Sequence, residues 1–199
     1  MTFRLGLTGS IGMGKSTTGR MFVELGYPLW DADAAVHRLY GKGGAAVQPV
    51  SYAFPQALVD DGIDRTILKA ILVEDPTVLI RLESIVHPLV ANDRRQFNEK
   101  KQKNRKKIFV LDIPMIFETG ADSQMDGVAV VSTDEETQRA RVLSRPGMTE
   151  ENFDMILSRQ MPDTEKRIRA DWVIPTDSMD SARQAVHLIC DEILGRDNA

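Results

Sequence analysis

The sequence has a single cysteine, Cys190, among its 199 residues, which excludes an intramolecular disulfide framework. A reducing compartment suits such a chain, and the apolar helical surroundings of Cys190 favour a buried side chain over a nucleophile. No apolar run reaches the roughly 18 residues of a membrane-spanning helix, and no charged start precedes a long apolar segment. We therefore expect a soluble, cytoplasmic protein with no membrane partner.

The sequence also lacks a large excess of positive or negative charge. The chain carries 25 Lys and Arg against 29 Asp and Glu, a formal net charge of -4, which gives no general attraction to nucleic acid. The one dense basic run, between Lys100 and Lys107, lacks interleaved aromatic residues and indicates a solvated helix end. We expect no nucleic-acid partner. The contents of 42% hydrophobic and 27% charged residues are typical of a globular domain.

What the sequence does contain is a complete phosphate-binding loop pattern. Residues 9–17 read Gly-Ser-Ile-Gly-Met-Gly-Lys-Ser-Thr, between a strand-like apolar run and a helix-like segment. Glycines let the backbone curl so that its N–H groups point at phosphates, and the helix start adds partial positive charge. The predicted nucleotide-binding residues are Ile11, Gly12, Met13, Gly14, Lys15, Ser16 and Thr17. Lys15 would reach the β- and γ-phosphates, and the Ser16 hydroxyl would bind Mg²⁺.

Acidic residues follow two of the predicted strands. Asp31 and Asp33 come directly after the strand 27–30, and Asp112 ends the apolar strand 108–112. In an open α/β sheet, ligands bind outside the carboxyl ends of the strands. Asp112 has the position of a carboxylate that organises Mg²⁺ in phosphate-loop proteins. One acid of the first pair can cap the following helix, and this leaves Asp33 for a functional role.

The domain organisation follows from where the alternation of strands and helices stops. We predict a nucleotide-binding core, residues 1–41 and 106–199, interrupted by a mostly helical insertion, 42–105, that binds the substrate. Within the insertion, an apolar helical stripe ends at His87-Pro88, where we expect the helix to break because proline lacks a backbone donor. A histidine at such a break is, on its own, more often structural than catalytic.

A lid is predicted within the second core segment. Residues 139–162 read as two short helices, on which Arg141 and Arg145 share a face. Arginines there could neutralise charge on a phosphoryl group in transfer. With further strands predicted at 128–131 and 171–174, the expected fold is a three-layer α/β/α sandwich. Its parallel five-stranded sheet would be of the P-loop nucleoside triphosphate hydrolase type.

Several separated motifs extend along nearly the whole chain. They are Leu7–Thr17, Asp31-Ala-Asp33, Asp61–Arg65, Leu82–Pro88, Asp112-Ile-Pro114 with Phe117-Glu118, Gln138-x-x-Arg141-x-x-x-Arg145, Arg159-Gln160-Met161-Pro162 and Ala170-Asp171. Together they resemble the dephospho-CoA kinase family. The resemblance implies ATP- and Mg²⁺-dependent phosphorylation of the ribose 3′-hydroxyl of dephospho-CoA. It further implies Asp33 as the base and Arg65 and His87 as substrate contacts, with Lys15 and Arg141 completing the catalytic set.

The chain departs from the pattern of that family at two positions. Pro55 follows Phe54 where the family usually has glycine. Thr176 lies in the segment after the fifth predicted strand, where the family usually has an asparagine. If that asparagine seats the adenine, the second departure bears on nucleotide selectivity.

Two other functions remain open at this stage. One is another P-loop small-molecule kinase with a different acceptor alcohol, since its loop, acids and lid would look alike. The other is a nucleotide-switched binding protein. The chain has no Asn-Lys-x-Asp guanine-reading motif, and its insertion and arginine-bearing lid favour transfer to an acceptor.

Overall fold

The computed structural model describes residues 2–75, 77–103 and 107–196. The chain divides into two compact units, one formed by Met1–Trp30 with Asn104–Ala199 and the other by Asp31–Lys103. The predicted boundary between 105 and 106 lies outside the described residues, as do residues 104–106 of the basic run between 100 and 107.

The strands and helices are numbered in chain order. The strands are β1 (Phe3–Thr8), β2 (Leu29–Asp31), β3 (Leu58–Val59), β4 (Gly62–Ile63), β5 (Ile108–Asp112), β6 (Gly127–Ser132) and β7 (Trp172–Pro175). The helices are α1 (Lys15–Glu24), α2 (Ala32–Tyr40), α3 (Val47–Ala53), α4 (Arg65–Glu74), α5 (Val78–Lys103), α6 (Glu135–Leu143), α7 (Glu150–Leu157), α8 (Asp163–Arg169) and α9 (Met179–Arg196). Among the described residues, no helix combines the length and apolar character needed to cross a membrane.

The first unit is built on a five-stranded parallel sheet with the order β2-β5-β1-β6-β7, which confirms the predicted α/β fold. Central β1 pairs in parallel with β5, where Leu5 faces Val110, and with β6, where Leu5 faces Gly127. Every residue of β5 and β6 is buried, as expected for strands covered by helices on both faces. Cys190 lies in this core, and burial raises the pKa of its thiol to about 11, which keeps it protonated at neutral pH.

The second unit has its own helical core and a short hairpin that the sequence analysis did not predict. Strands β3 and β4 pair antiparallel, and Asp60 and Asp61 both adopt positive φ in the two-residue turn between them. Helix α2 belongs to this unit, whereas the predicted boundary at 41 assigned it to the core. The reason is its packing, because Leu39 and Tyr40 join the cluster around Val50.

The predicted helix end at His87-Pro88 is wrong. Helix α5 continues through Pro88 without ending there. Leu82 and Val86 are buried before the proline, and Leu89 and Val90 pack against the same cluster after it. Burial on both sides of Pro88 outweighs the one backbone hydrogen bond that proline removes.

The sheet core of the first unit should depend strongly on side chains such as Ile174, which is 0% exposed in β7. We expect Ile174→Ala to lower the free energy of unfolding by about 2–5 kcal/mol, because it leaves a cavity. Ile168→Ala is the matched control, since Ile168 on α8 is 84% exposed, and it should change stability by less than about 0.5 kcal/mol. Urea unfolding followed by circular dichroism measures both, and equal shifts would contradict the assigned core.

Candidate active site

The phosphate-binding loop connects β1 to α1 in the form that the sequence predicts. Gly12 and Gly14 adopt φ values of 82° and 90°, a region that side-chain-bearing residues rarely occupy. A Cβ on Gly12 would also lie 2.5 Å from Val142 Cγ2, so this glycine is required for close packing against α6 as well. Gly14 caps α1, and the N–H groups of Lys15 and Ser16, at the very start of this helix, precede its first intrahelical bonds and are available to an anion.

Three of the predicted loop residues use their backbone N–H groups inside the protein. The Ile11 N–H donates to Gln160 Oε1 at 3.0 Å, the Met13 N–H to Ser10 O at 3.1 Å, and the Thr17 N–H to Gly14 O at 3.1 Å. These bonds shape the loop and occupy those donors. The spacing of glycines in the sequence could not distinguish these occupied donors from the N–H groups of Lys15 and Ser16.

Lys15 and Asp112 form a direct ion pair at the carboxyl edge of the sheet. The register of the sheet produces it, because Leu7 at the end of β1 lies beside Asp112 at the end of β5. The Asp112 side chain is 1% exposed and that of Lys15 is 14% exposed, so little water reaches the pair. Lys15 therefore compensates the charge of a carboxylate that would be costly to bury alone.

The oxygen donors near the loop fit a magnesium ion. The Asp112 carboxylate and the exposed Ser16 hydroxyl are hard oxygen ligands of the type that Mg²⁺ prefers. Among the residues that the structure describes, no group of three or more His, Cys, Asp and Glu side chains could hold a metal ion. This donor set suits a cation that is held largely by substrate phosphates, as Mg²⁺ often is.

Arg141 lies beside the loop and is bound to Thr176. The guanidinium donates from Nη2 to Thr176 O at 2.6 Å and from Nη1 to Thr176 Oγ1 at 3.2 Å. The Thr176 hydroxyl in turn donates to Met13 O at 2.9 Å. Helix α6 is thereby linked to the phosphate loop through a residue at which the chain departs from the family pattern.

These residues line a pocket of about 340 Å³ next to the phosphate loop. Its walls include Gly12, Gly14, Thr17, Arg141, Arg145 and Thr176. The pocket is therefore bounded by the loop, by both arginines that the sequence analysis placed on one helical face, and by the segment after β7.

Asp31 and Asp33 have different structural roles at the start of α2. The Asp31 carboxylate caps the helix, accepting a hydrogen bond from the Ala34 N–H at 2.9 Å. Asp33 lies in the first turn with an exposed side chain. The expectation that one acid caps the helix is confirmed, and Asp33 is the one that remains available.

Arg65 and His87 both belong to the second unit and are exposed. Arg65 begins α4 directly after Asp64, which caps that helix by accepting from the Thr66 and Ile67 N–H groups. Burial raises the pKa of Tyr40, and the positive charge of Arg65 acts in the opposite direction. The structure therefore groups Arg65 and His87 with Asp33, and groups Lys15, Asp112 and Arg141 together in the first unit.

Sequence reasoning assigned no role to a buried ion pair between Glu118 and Lys166. Lys166 Nζ lies 2.9 Å from Glu118 Oε1, and its side chain is 0% exposed. Glu118 also accepts from the Met161 N–H at 2.7 Å. Burial works to raise the pKa of Glu118, but the bonds from Lys166 and Met161 outweigh it and the pKa lies below its usual value. A lysine in a highly charged helix carries no sequence signal of such burial.

The chain is similar to known proteins over nearly its whole length. Residues 3–181 match the family described as Dephospho-CoA kinase. A dephospho-CoA kinase from Ruegeria pomeroyi is 57% identical over 193 residues, covering 97% of this chain and 96% of that protein. The crystal structure of a Thermus thermophilus protein matches with a TM-score of 0.82 and 31% identity, over 96% of this chain and 97% of that one. The dephospho-CoA kinase from Campylobacter jejuni matches with a TM-score of 0.75 and 26% identity over 100% of both chains. This chain belongs to the dephospho-CoA kinase family.

Proposed function

We propose that this protein transfers the γ-phosphoryl group of ATP to the ribose 3′-hydroxyl of dephospho-CoA, giving coenzyme A and ADP. The observation that carries the proposal is the complete phosphate loop, whose Lys15 contacts the buried Asp112, in a chain of the dephospho-CoA kinase family. The protein is thus a phosphotransferase with an alcohol as acceptor and a small molecule as substrate. We place it in the cytoplasm, without a nucleic-acid or membrane partner.

The phosphates of ATP would bind at the start of α1. The N–H groups of Lys15 and Ser16 and the Lys15 ammonium are the donors there, and both favour negative charge. Ser16 and Asp112 would hold Mg²⁺ together with phosphate oxygens. When bound, the ion supplies positive charge that offsets the charge on the phosphoryl group in transfer.

The adenosine part of ATP fits the pocket between the loop and Thr176. A planar guanidinium such as that of Arg141 can stack on a flat aromatic base, and its position beside Gly12 and Gly14 keeps its charge near the phosphates. Its two hydrogen bonds to Thr176 fix its orientation. We therefore assign Arg141 to charge stabilisation at the nucleotide and Thr176 to the wall of the base pocket.

The acceptor would be bound by residues of the second unit. Asp33 would orient the 3′-hydroxyl and take its proton, since its carboxylate is exposed and is not used as the helix cap. A carboxylate is a weak base toward a sugar hydroxyl, so the proton should move late in the reaction. Arg65 would pair with a phosphate of dephospho-CoA, and His87 would supply a hydrogen bond.

An assay of ADP release with and without dephospho-CoA tests the proposed function. We expect release to depend on dephospho-CoA, and other acceptor alcohols to be poor substitutes. Lys15→Ala should slow turnover by about 10³-fold or more, because the phosphates lose a positive charge in the transition state. Lys107→Ala is the control, since Lys107 is exposed just before β5, at the other end of that strand from Asp112. Acceptor-independent hydrolysis, or normal turnover by folded Lys15→Ala, would contradict the proposal.

Asn substitutions separate the roles of the two acids after β2. Asp33→Asn keeps the shape of the side chain but cannot accept a proton, so we expect kcat to fall by about 10²–10⁴-fold with little change in substrate binding. Asp31→Asn retains an oxygen that can accept from the Ala34 N–H, so its effect should be milder. Single-turnover kinetics measure both variants. If Asp31→Asn is the more damaging, the two roles are reversed.

Substitutions in the second unit test how the acceptor is bound. Arg65→Ala and His87→Ala should each raise the KM for dephospho-CoA about tenfold, the loss expected for a hydrogen bond to a charged group. ATP binding should persist in both. His187→Ala, an exposed histidine on α9 in the first unit, is the matched control. Calorimetric titration of each ligand decides the matter, and an equal loss of both ligands would indicate a structural role.

A further inference from the structure

We infer that Gln138 and Gln160 are positioning residues that hold the phosphate loop in place through hydrogen bonds to the backbone N–H and carbonyl of Ile11. The two glutamines lie in motifs that the sequence analysis singled out without giving them a role. The inference rests on the proposed nucleotide site, because it concerns the shape of the loop that binds the phosphates.

The two amides bind Ile11 in opposite senses. The Ile11 N–H donates to Gln160 Oε1 at 3.0 Å, and Gln138 Nε2 donates to Ile11 O at 2.7 Å. An N–H group requires an acceptor and a carbonyl requires a donor. The Ile11 N–H therefore binds the oxygen of one glutamine amide, and the Ile11 carbonyl binds the nitrogen of the other. Gln138 is 5% exposed, so its bond to the carbonyl is shielded from competing water.

The loop needs support from outside because its own sequence makes it flexible. Gly12 and Gly14 permit the required positive φ values but also allow many other conformations. Within the loop, the Met13 N–H bonds to Ser10 O. The bonds to Ile11 and the bond from Thr176 to Met13 O are supplied by side chains of other segments.

The two glutamines lie at the two ends of the predicted lid, residues 139–162. Gln138 is on α6, immediately before the lid and one turn before Arg141. Gln160 follows α7, and its own N–H donates to Leu157 O at 2.9 Å. Both ends of this two-helix segment are therefore hydrogen-bonded to the same loop residue, Ile11.

Gln160 is itself anchored to the segment that follows Asp112. The next residue, Met161, donates its N–H to Glu118, which is paired with the buried Lys166. Lys166 Nζ also donates to Pro114 O at 3.3 Å, two residues beyond Asp112. These polar contacts, joined by the peptide bond between Gln160 and Met161, lead from Ile11 to Pro114, two residues beyond the proposed Mg²⁺ ligand Asp112, and they fix where the loop lies relative to that strand end.

A pair of charge-matched variants tests this geometry. Gln160→Glu keeps an oxygen that can accept from the Ile11 N–H, whereas Gln138→Glu replaces a donor with an oxygen that faces the Ile11 carbonyl. Both add one negative charge near the loop at about pH 8, where glutamate is ionised. Because Gln138 is buried and Gln160 only partly so, a difference between them reflects the burial of the new charge as well as the hydrogen bond, and an uncharged variant isolates the hydrogen bond. Gln160→Leu removes the acceptor at similar size without adding charge.

We expect Gln138→Glu to raise the KM and Kd for ATP at least about tenfold relative to Gln160→Glu, with a smaller change in kcat. Gln160→Leu should weaken ATP binding about 5- to 10-fold, and Gln160→Glu should restore the bond that Leu cannot make. Amide hydrogen exchange gives a readout that needs no nucleotide. The Ile11 N–H should exchange about 5- to 10-fold faster in Gln160→Leu and at the wild-type rate in Gln160→Glu.

Two results would overturn the inference. One is equal ATP binding by the two Glu variants with unchanged Ile11 exchange in Gln160→Leu. The other is a loss of ATP binding that follows thermal stability across all variants, since a purely structural role predicts that correlation. If Gln138→Glu does not fold, the Gln160 pair decides alone, because Gln160 is only partly buried in a connecting segment. Failure of the wild-type protein to bind ATP would contradict the proposed function, while the exchange experiment would still test the bond between Ile11 and Gln160.

Discussion

The ion pair between Lys15 and Asp112 is the interaction on which the arrangement of the phosphate loop in the first unit depends. A carboxylate that is 1% exposed is costly unless a positive group lies against it, and Lys15 supplies that group from the loop. The pair forms because β1 and β5 are neighbours at the centre of the sheet and end at the same edge. The buried strands thus bring together two residues that lie far apart in the chain, and a cation bound with phosphates could share the same carboxylate.

The phosphate loop obtains its shape and its stability from different parts of the chain. Its glycines make the positive φ values of the loop possible, but they do nothing to favour them over other conformations. Bonds within the loop contribute to that preference, and so do three side chains of other segments, those of Gln138, Gln160 and Thr176, which bind the backbone of Ile11 and Met13. This separation explains why a loop pattern predicts phosphate binding well but does not reveal which backbone donors remain open to a ligand.

Features with a local cause could be predicted from the sequence, and features that depend on distant partners could not. The parallel strands are read as apolar runs because helices cover both faces of the sheet. The helix end predicted at Pro88 is wrong because packing on both sides of the proline keeps α5 continuous. A rule based on the local sequence does not include such packing. The hairpin of β3 and β4 is too short to show a period, although its turn residues Asp60 and Asp61, followed by Gly62, are a usable signal. The burial of Lys166 depends on Glu118, a partner in another part of the chain.

The distribution of roles at the site agrees with the chemistry of phosphoryl transfer. The transition state of that reaction is loose in most analyses, so most of the acceleration comes from positioning and charge stabilisation and little from the base. In the described part of this chain, more groups position the phosphate loop than are available to act as a base. Asp31 caps α2, and of the two acids only Asp33 has an exposed carboxylate that is not used as the cap. By contrast, the phosphate loop is held by two amides, a threonine that also orients Arg141, and a segment anchored by the buried pair of Glu118 and Lys166. An enzyme that gains its rate from geometry requires such supporting contacts, because a loop displaced by even about 1 Å loses much of that advantage.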